Sequence, residues 1–352
     1  MKNFLEIKNA TFFASKENVI KNVSFNIKKK GDIICLLGAS GIGKTTILRT
    51  IAGLQKLKLG KILLDNKLLS SSTFNCEPEH RNIALSFQEN CLFPNKNIIE
   101  NINIGSNRNK GKSFIIKTND LIKIFKLNGL EKKYPHEISS GESQRVSIVR
   151  SLVSNPKLLL LDEPFSNIDE SLKINLQSDL KKIIKQSKIT TIIVTHDSSE
   201  AFYLSDYCGI FIDKSLEQFD TPYNIYHYPK SKKLIKFLNR GVLVKVKTLG
   251  NNKLYHNELG VIHGKYFEKH KTGTFLNLLI QPEDLEHDDT STLKLRIVDR
   301  KFRGTDFIYS LQTKDKQIIP IFVHSHHKHL HDKDDLFGIK KPIKVKHLVC
   351  FK

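Results

Sequence analysis

Eight consecutive residues, Gly38-Ala39-Ser40-Gly41-Ile42-Gly43-Lys44-Thr45, have the types and spacing of a phosphate cradle. They fit the pattern GxxxxGK[ST]. Glycines allow the backbone angles and the close approach by which N–H groups surround phosphate oxygens. Lys44 supplies a point charge to the β- and γ-phosphates, and Thr45 offers a hydroxyl to Mg²⁺. A second cluster, Asp162-Glu163-Pro164, follows the apolar run Leu158–Leu161. A buried strand there delivers Asp162 to its C-terminal end, where ligands bind in open α/β sheets. Asp162 can then enter a Mg²⁺ shell, and Glu163 can polarise an attacking water. Alone, two adjacent carboxylates are as readily strand-end polar residues; beside a phosphate loop they point to catalysis. A dinucleotide loop would need G-x-G-x-x-G, and Thr46 stands where its last glycine belongs.

These residues need a scaffold that holds them at strand ends, and the surrounding pattern provides one. LEIKNATFF and VIKNVSFNI alternate apolar and polar residues, which predicts antiparallel strands. DIICLL before the loop, LLLL before Asp162 and TTIIVT at 190–195 read as buried parallel strands. KTTILRTIAGL after the loop places Ile47, Leu48, Ile51 and Leu54 on one helical face. SLKINLQSDLKKIIKQ has helical spacing, and residues 90–155 are mainly helical, as an insertion would be. Strands alternating with helices imply a parallel α/β sheet. From about residue 235 short alternating runs between polar turns read as a small all-β barrel. At ~150 residues per domain, 352 residues suit two domains. The expected boundaries are 1–234 and 235–352.

Further motifs stand in a fixed order. Gln88 lies in SFQENCLFPN; Ile138-Ser-Ser-Gly-Glu-Ser-Gln-Arg145 precedes the Asp162-Glu163 strand; Ser166-Asn-Ile-Asp169 and Thr195-His196-Asp197 follow it. Together with the phosphate loop, they resemble the ATP-binding cassette (ABC) ATPases over residues 1 to about 230. SSGESQR is similar to the family signature, SFQEN to its Q-loop, SNID to its D-loop and THD to its switch histidine. The resemblance implies a P-loop ATPase fold, with a parallel core, an antiparallel β subdomain and a helical insertion. It implies ATP and Mg²⁺ as cofactors. Gly38, Ser40, Gly41, Gly43, Lys44, Thr45 and Thr46 would hold the nucleotide. Thr45, Gln88 and Asp162 would hold the metal, and Glu163, His196 and Gln88 would act in hydrolysis. Ser139, Gly141, Glu142 and Asp169 would serve ATP across a homodimer in which each site needs both chains. A serine hydroxyl and free amides at a helix start suit an anion, although SSGES by itself would indicate only a helix N-cap. One departure is Ser140, which replaces the signature's first glycine and predicts a crowded interface with slow turnover. Phe13 is the choice for stacking on adenine, with Phe12 close behind; an aromatic in a strand is more often core.

The C-terminal part extends the resemblance. Leu279-Ile-Gln281-Pro-Glu-Asp284 is similar to the RPED motif of importer-type members, with Gln281 in place of arginine. That motif accompanies an OB-like transport-associated (TOBE) domain. The implied role is powering solute uptake from the cytoplasmic face of the cell membrane. Permease subunits would be direct partners, and an extracytoplasmic solute-binding protein an indirect one. VDRKFRGTDFIYSL and HSHHKH look most like the ferric-iron type, with spermidine/putrescine, sulfate and thiamine importers as competitors. His324, His326, His327, His329 and His331 put five imidazoles within eight residues. On a strand, alternate positions would project several from one face toward a transition metal. The other reading is a solvated turn beside Asp332, Asp334 and Asp335.

Composition narrows the rest. The 39% hydrophobic and 26% charged content suits a folded chain, and no run approaches a membrane span. The N-terminus lacks a signal peptide's apolar core. The net charge of +21 is spread along the chain rather than striped, so no nucleic-acid partner is expected. A soluble ABC ATPase acting on nucleic acid or ribosomes, favoured only by that charge, is the alternative. A third is a regulatory ATPase slowed by Ser140. The five cysteines form no CxxC pair, and Cys35 and Cys208 read as core residues.

Overall fold

The apolar runs read as buried strands lie side by side in the computed structural model. It describes residues 3–13, 19–89, 91–106, 117–239, 241–266, 270–325 and 331–352. β3 (Ile33–Gly38), β7 (Leu158–Asp162) and β8 (Thr190–Thr195) are buried at every position. They sit in a sheet ordered β10-β9-β3-β8-β7-β6, completed by β6 (Ile83–Ser86), β9 (Tyr207–Ile212) and β10 (Ser215–Asp220). All its neighbours run parallel except β9 and β10. Cys35 and Cys208 are directly paired across β3 and β9, and both are fully buried.

A second sheet, β2-β1-β4-β5, is antiparallel and built from β1 (Leu5–Phe13), β2 (Val19–Ile27), β4 (Leu59–Leu64) and β5 (Lys67–Ser71). The helix α1 (Lys44–Ala52) contributes Ile47, Leu48 and Ile51 to the core that the two sheets share. Truncating one of these to alanine would cost about 2–5 kcal/mol. Leu54 does not join them, contrary to its expected place on that face. Gly53 takes φ 91° as the C-cap, the helix ends there, and Leu54 is 52% exposed. The insertion is helical where described: α2 (Ile98–Ser106), α3 (Thr118–Ile124) and α4 (Ser140–Val153). α5 (Glu170–Ser187) and α6 (Ser198–Leu204) flank β8 in sequence.

The chain divides into two units, Met1–Ile225 and Tyr226–Lys352. Within the second, the Gln281 amide donates to the Tyr226 carbonyl (3.1 Å), and the Tyr228 hydroxyl meets His347 Nδ1 at 2.9 Å. Those contacts tie residues before the 234/235 boundary to the β-rich part. This unit has two sheets over one core. One is ordered β19-β13-β12-β11-β14-β20, with β11 (Val242–Gly250), β12 (Lys253–His256), β13 (Gly260–Tyr266), β14 (Phe275–Ile280), β19 (Ile343–Leu348) and β20 (Cys350–Phe351). The other is β17-β16-β15-β18, from β15 (Lys294–Phe302), β16 (Asp306–Gln312), β17 (Ile318–His324) and β18 (Leu336–Gly338). In β11, Val244, Val246 and Thr248 point inward while Lys245 and Lys247 are exposed, the period of a strand with one buried face. β13 and β19 pair in parallel.

The C-terminal end of α1 is held by one buried guanidinium. Arg81 is 2% exposed and donates to the Thr50 and Ile51 carbonyls at 3.1 and 2.8 Å. It also donates to the Cys76 and Leu69 carbonyls, Ser70 Oγ and Asn75 Oδ1. A cation there satisfies the last carbonyls of the helix that carries the phosphate loop. Arg81→Met should therefore lower unfolding free energy by about 3 kcal/mol, because several buried acceptors lose their donor. Urea unfolding with an unchanged m-value checks this, and a loss below about 1 kcal/mol would refute it.

Candidate active site

The phosphate loop leaves β3 at Gly38, where an added Cβ would stand 2.8 Å from the Phe211 carbonyl oxygen. Gly41 (φ 75°) and Gly43 (φ 105°) take left-handed angles, and Gly43 caps α1. The loop is thereby bent so that α1 starts at Lys44, its positive end facing the loop's mouth. Lys44 Nζ donates to the carbonyls of Gly38 (2.8 Å) and Ala39 (2.9 Å). Burial pushes the Lys44 ammonium below its ordinary pKa, opposed by the nearby Glu163 and Asp162. Ser40 and Gly41 are exposed, while Thr46 is buried within the helix.

Register brings the remaining groups together. Leu37 pairs with Thr195 across β3 and β8, and Asp162 pairs with Val194 across β7 and β8. Thr45 Oγ1 donates to Asp162 Oδ1 at 3.1 Å. Asp162 is 4% exposed, and burial raises its pKa despite the Thr45 hydrogen bond. A hydroxyl and a shielded carboxylate in contact are an oxygen donor set suited to Mg²⁺. Glu163 Oε1 lies 3.2 Å from His196 Nδ1, and its Oε2 accepts from Gln88 Nε2 at 3.4 Å. Thr45, Gln88, Asp162, Glu163 and His196, chosen from sequence, thus stand as a Thr45–Asp162 pair and a Gln88–Glu163–His196 group, adjacent because Asp162 and Glu163 are consecutive. His196 and Gln88 are exposed and Glu163 is half-buried, so a water can reach the carboxylate.

Glu163 sits at φ 46°, a left-handed angle that costs a side-chain-bearing residue free energy. Three groups hold it there. Its N–H donates to Val194 O (3.0 Å), and its carbonyl accepts from Gln144 Nε2 (2.7 Å) and Ser166 Oγ (3.1 Å). Gln144 Oε1 in turn accepts from the Asn167 N–H at 3.2 Å. Sequence reading passed over Gln144 as a positioning residue, although it lies inside the quoted SSGESQR.

The other expected site residues stand elsewhere in the unit. Ser139 caps α4: its Oγ accepts from the Glu142 N–H (3.2 Å), and Glu142 Oε2 accepts from the Ser139 N–H (2.8 Å). That backbone donor holds the Glu142 carboxyl below its ordinary pKa. Ser140 is exposed at the first helical position. Gly141 packs closely, since a Cβ would come within 2.7 Å of Asn167 O. Asp169 stands exposed at the head of α5. Phe13 is 36% exposed at the end of β1, with Lys58 Nζ 5.3 Å from its ring centroid. Phe12 is fully buried core, which removes it as a stacking surface. The hydrogen bonds joining Thr45, Gln88, Asp162, Glu163 and His196 include none of these residues.

Comparison with known proteins agrees with this geometry. The family described as "ABC transporter" matches residues 20–166. The Fe(3+) ions import ATP-binding protein FbpC of Haemophilus influenzae is 36% identical over 251 residues, covering 70% of this chain and 71% of the relative. The spermidine/putrescine import ATP-binding protein PotA of Mycoplasma capricolum is 33% identical over 325 residues, 90% of each chain. The chain belongs to the ABC transporter family. Its fold resembles the dimeric post-hydrolysis structure of the ATP-binding cassette MJ0796 bound to ADP and Pi. That match has TM-score 0.54 and 26% identity, and covers 62% of this chain and 98% of that one. A cbiO1 structure from Clostridium perfringens gives TM-score 0.55 at 25% identity, covering 68% and 95%.

As an ABC ATPase the chain binds and hydrolyses ATP, and one buried carboxyl next to the cluster bears on how it responds to pH. Glu200, not singled out from sequence, lines a cleft with Glu163, His196, Asp197 and Lys173. Lys173 Nζ is 3.2 Å from Asp197 Oδ2 and 3.7 Å from Glu200 Oε2. Asp197 caps α6, accepting from the Ser199 and Glu200 N–H groups. Its spacing to Glu200 was the available signal. Burial pushes Glu200 up to about 7, and Lys173 offsets this only in part. With its folded pKa above the unfolded value, the native state holds the extra proton between about pH 4.5 and 7. Stability from this group is therefore lost as pH rises through that window. Glu200→Gln should gain stability relative to wild type by roughly 1–3 kcal/mol between pH 5 and pH 8. Chemical unfolding of both proteins across this range tests it; parallel profiles would show that Glu200 ionises normally.

Proposed function

We propose that this ATPase powers solute import, as a homodimer on membrane permease subunits at the cytoplasmic face, and that its solute is a polyamine. The observation that carries the solute is length of likeness. The match to the spermidine/putrescine protein runs over 325 residues, 90% of both chains, and so extends into the β-rich unit. Residues of the catalytic cluster bind nucleotide in any such ATPase and carry no solute information. A second reading, ferric iron, is favoured by the higher identity, 36%, to the iron-import protein over 251 residues. No helix among the described residues is long and apolar enough to cross a membrane, so membrane attachment here rests on docking. The second unit, with Pro282-Glu283-Asp284 at a 3₁₀ turn after β14, is proposed as the TOBE-type domain.

Each site residue has a role consistent with its place. Backbone amides from Gly41 to Thr45, the start of α1 and Lys44 receive the β- and γ-phosphates. Ser40 and Thr46 border that cradle, and exposed Phe13 offers a face to adenine. Thr45, Asp162 and Gln88 would hold Mg²⁺, which neutralises phosphate charge when bound. Glu163 orients the attacking water and accepts its proton, while His196 sits on the opposite carboxylate oxygen from Gln88. Ser139, Gly141, Glu142 and Asp169 of one protomer complete the site formed by its partner's phosphate loop. Two-fold pairing of that kind gives two equivalent sites. Ser140 stands at the opening of the same helix, so its hydroxymethyl group meets the partner and slows closure.

Removing the carboxylate base is the direct test. Glu163→Gln should retain ATP binding and lower turnover by about 10²–10⁴-fold. Uptake of labelled spermidine and of labelled ferric iron is then compared between cells with wild-type protein and cells with the variant. Loss of spermidine uptake alone supports the polyamine reading, and loss of iron uptake alone supports iron. Full turnover in Glu163→Gln would remove the catalytic assignment.

A further inference from the structure

The histidine-rich stretch at 324–331 does not act as one group in the described residues. His324 ends β17 and pairs with Asp306 through Nδ1 at 2.8 Å. His326, His327 and His329 lie outside the described residues. His331 turns into the β-rich unit instead, and there it meets His287 and Asp289, neither of which the sequence pattern singled out. His287 Nε2 is 3.0 Å and His331 Nε2 3.1 Å from the same oxygen, Asp289 Oδ1. The three ligand atoms lie within 4.8 Å of one another.

We propose that His287, Asp289 and His331 form a binding site for one divalent first-row transition cation of the zinc or ferrous class. The spacing fits. Two bonds of about 2.1 Å meeting at 90–110° separate their ligand atoms by roughly 3.0–3.4 Å. Two imidazoles with one carboxylate are the donor set such ions prefer, and nitrogen donors disfavour Mg²⁺ and Ca²⁺. Shielding fits as well. His331 Nε2 is closed off from solvent and makes no hydrogen bond among the described residues. A shielded ring nitrogen aimed at a carboxylate without hydrogen-bond geometry is in the situation a bound cation would satisfy.

The surroundings hold both histidines before any ion arrives. His287 is bridged to Ile339, and the Asp288 N–H donates to Gly338 O at 3.1 Å. Gly338 has to be glycine for this, because a Cβ would fall 2.0 Å from Asp288 O. The His331 carbonyl accepts from Arg300 Nη1 at 2.8 Å. Phe337 packs against both rings, 4.3 Å from the His287 centroid and 5.2 Å from that of His331. The floor of the site is therefore apolar. Asp289 is 40% exposed and gives the ion its entry, with room for water to complete the shell.

The site does not depend on the solute or on the hydrolytic assignment, and its test uses neither. Metal-stripped full-length protein, without nucleotide, is titrated with Zn²⁺ by calorimetry, and with Fe²⁺ under anaerobic conditions. The expected result is one ion per chain at micromolar affinity or tighter. Asp289→Asn and His331→Gln should each weaken it by about tenfold or more. Asp289→Asn preserves size at a partly exposed position, and circular dichroism confirms that the variant is folded. A variant with His324, His326, His327 and His329 all changed to glutamine should bind within about threefold of wild type. Three results would overturn the proposal: no stoichiometric binding at about 100 µM Zn²⁺, unchanged affinity in both ligand variants, or loss of binding in the fourfold variant.

Discussion

Thr45, Asp162 and His196 are separated by more than a hundred residues at their extremes, and the parallel register of β3, β8 and β7 makes them neighbours. Leu37 opposite Thr195 and Asp162 opposite Val194 put three strand ends at one level. A slip of one residue in a sheet buried on both faces would reverse every side chain. It would also carry Asp162 away from the Thr45 hydroxyl, now 3.1 Å distant. These strands, Ile33 to Gly38, Leu158 to Asp162 and Thr190 to Thr195, are buried at every position, so a slip would have to repack close-packed side chains on both faces of the sheet. Hydrophobic packing thereby sets the position of charges that packing alone would expel.

That register has a local cost at Glu163. The strand stops at Asp162, and the next residue must turn its carboxylate toward His196 and Gln88 from a left-handed backbone. Such strain persists where the surroundings over-determine it. Gln144 does this from α4, gripping the Glu163 carbonyl with one end and the Asn167 amide with the other. Gly141 lets that helix approach Asn167 closely. α4 is thus mechanically joined to Glu163 within one chain, so a shift of α4 would be felt at that carboxylate.

Sequence carried most of this because phosphate and magnesium chemistry demand particular residue types at short spacing. The loop glycines, Lys44, Thr45, Asp162 and Glu163 were legible for that reason, and the buried strands announced themselves as apolar runs. What was missed had no such signature. β6 is only four residues long, and β4 and β5 are short strands of mixed polarity. Leu54 was misplaced because periodicity was followed past Gly53, whose left-handed angle ends the helix. Arg81 and Glu200 are buried ionisable groups and Lys173 a partly buried one, recognisable only by the partners folding brings to them.

The β-rich unit shows the same limit from the other side. Five histidines close in sequence suggested a ligand cluster, yet His331 finds its partners 42 and 44 residues upstream, at Asp289 and His287. Proximity along the chain is a poor guide when an imidazole needs a rigid, dry wall to hold its ring. Phe337 and the Gly338 contact supply that wall, and they come from β18, between the histidine stretch and the final strands. Ligand geometry here follows from how two sheets close over one core. A catalytic site can be read from its motif because its chemistry is local; this one becomes visible only after the sheets have formed.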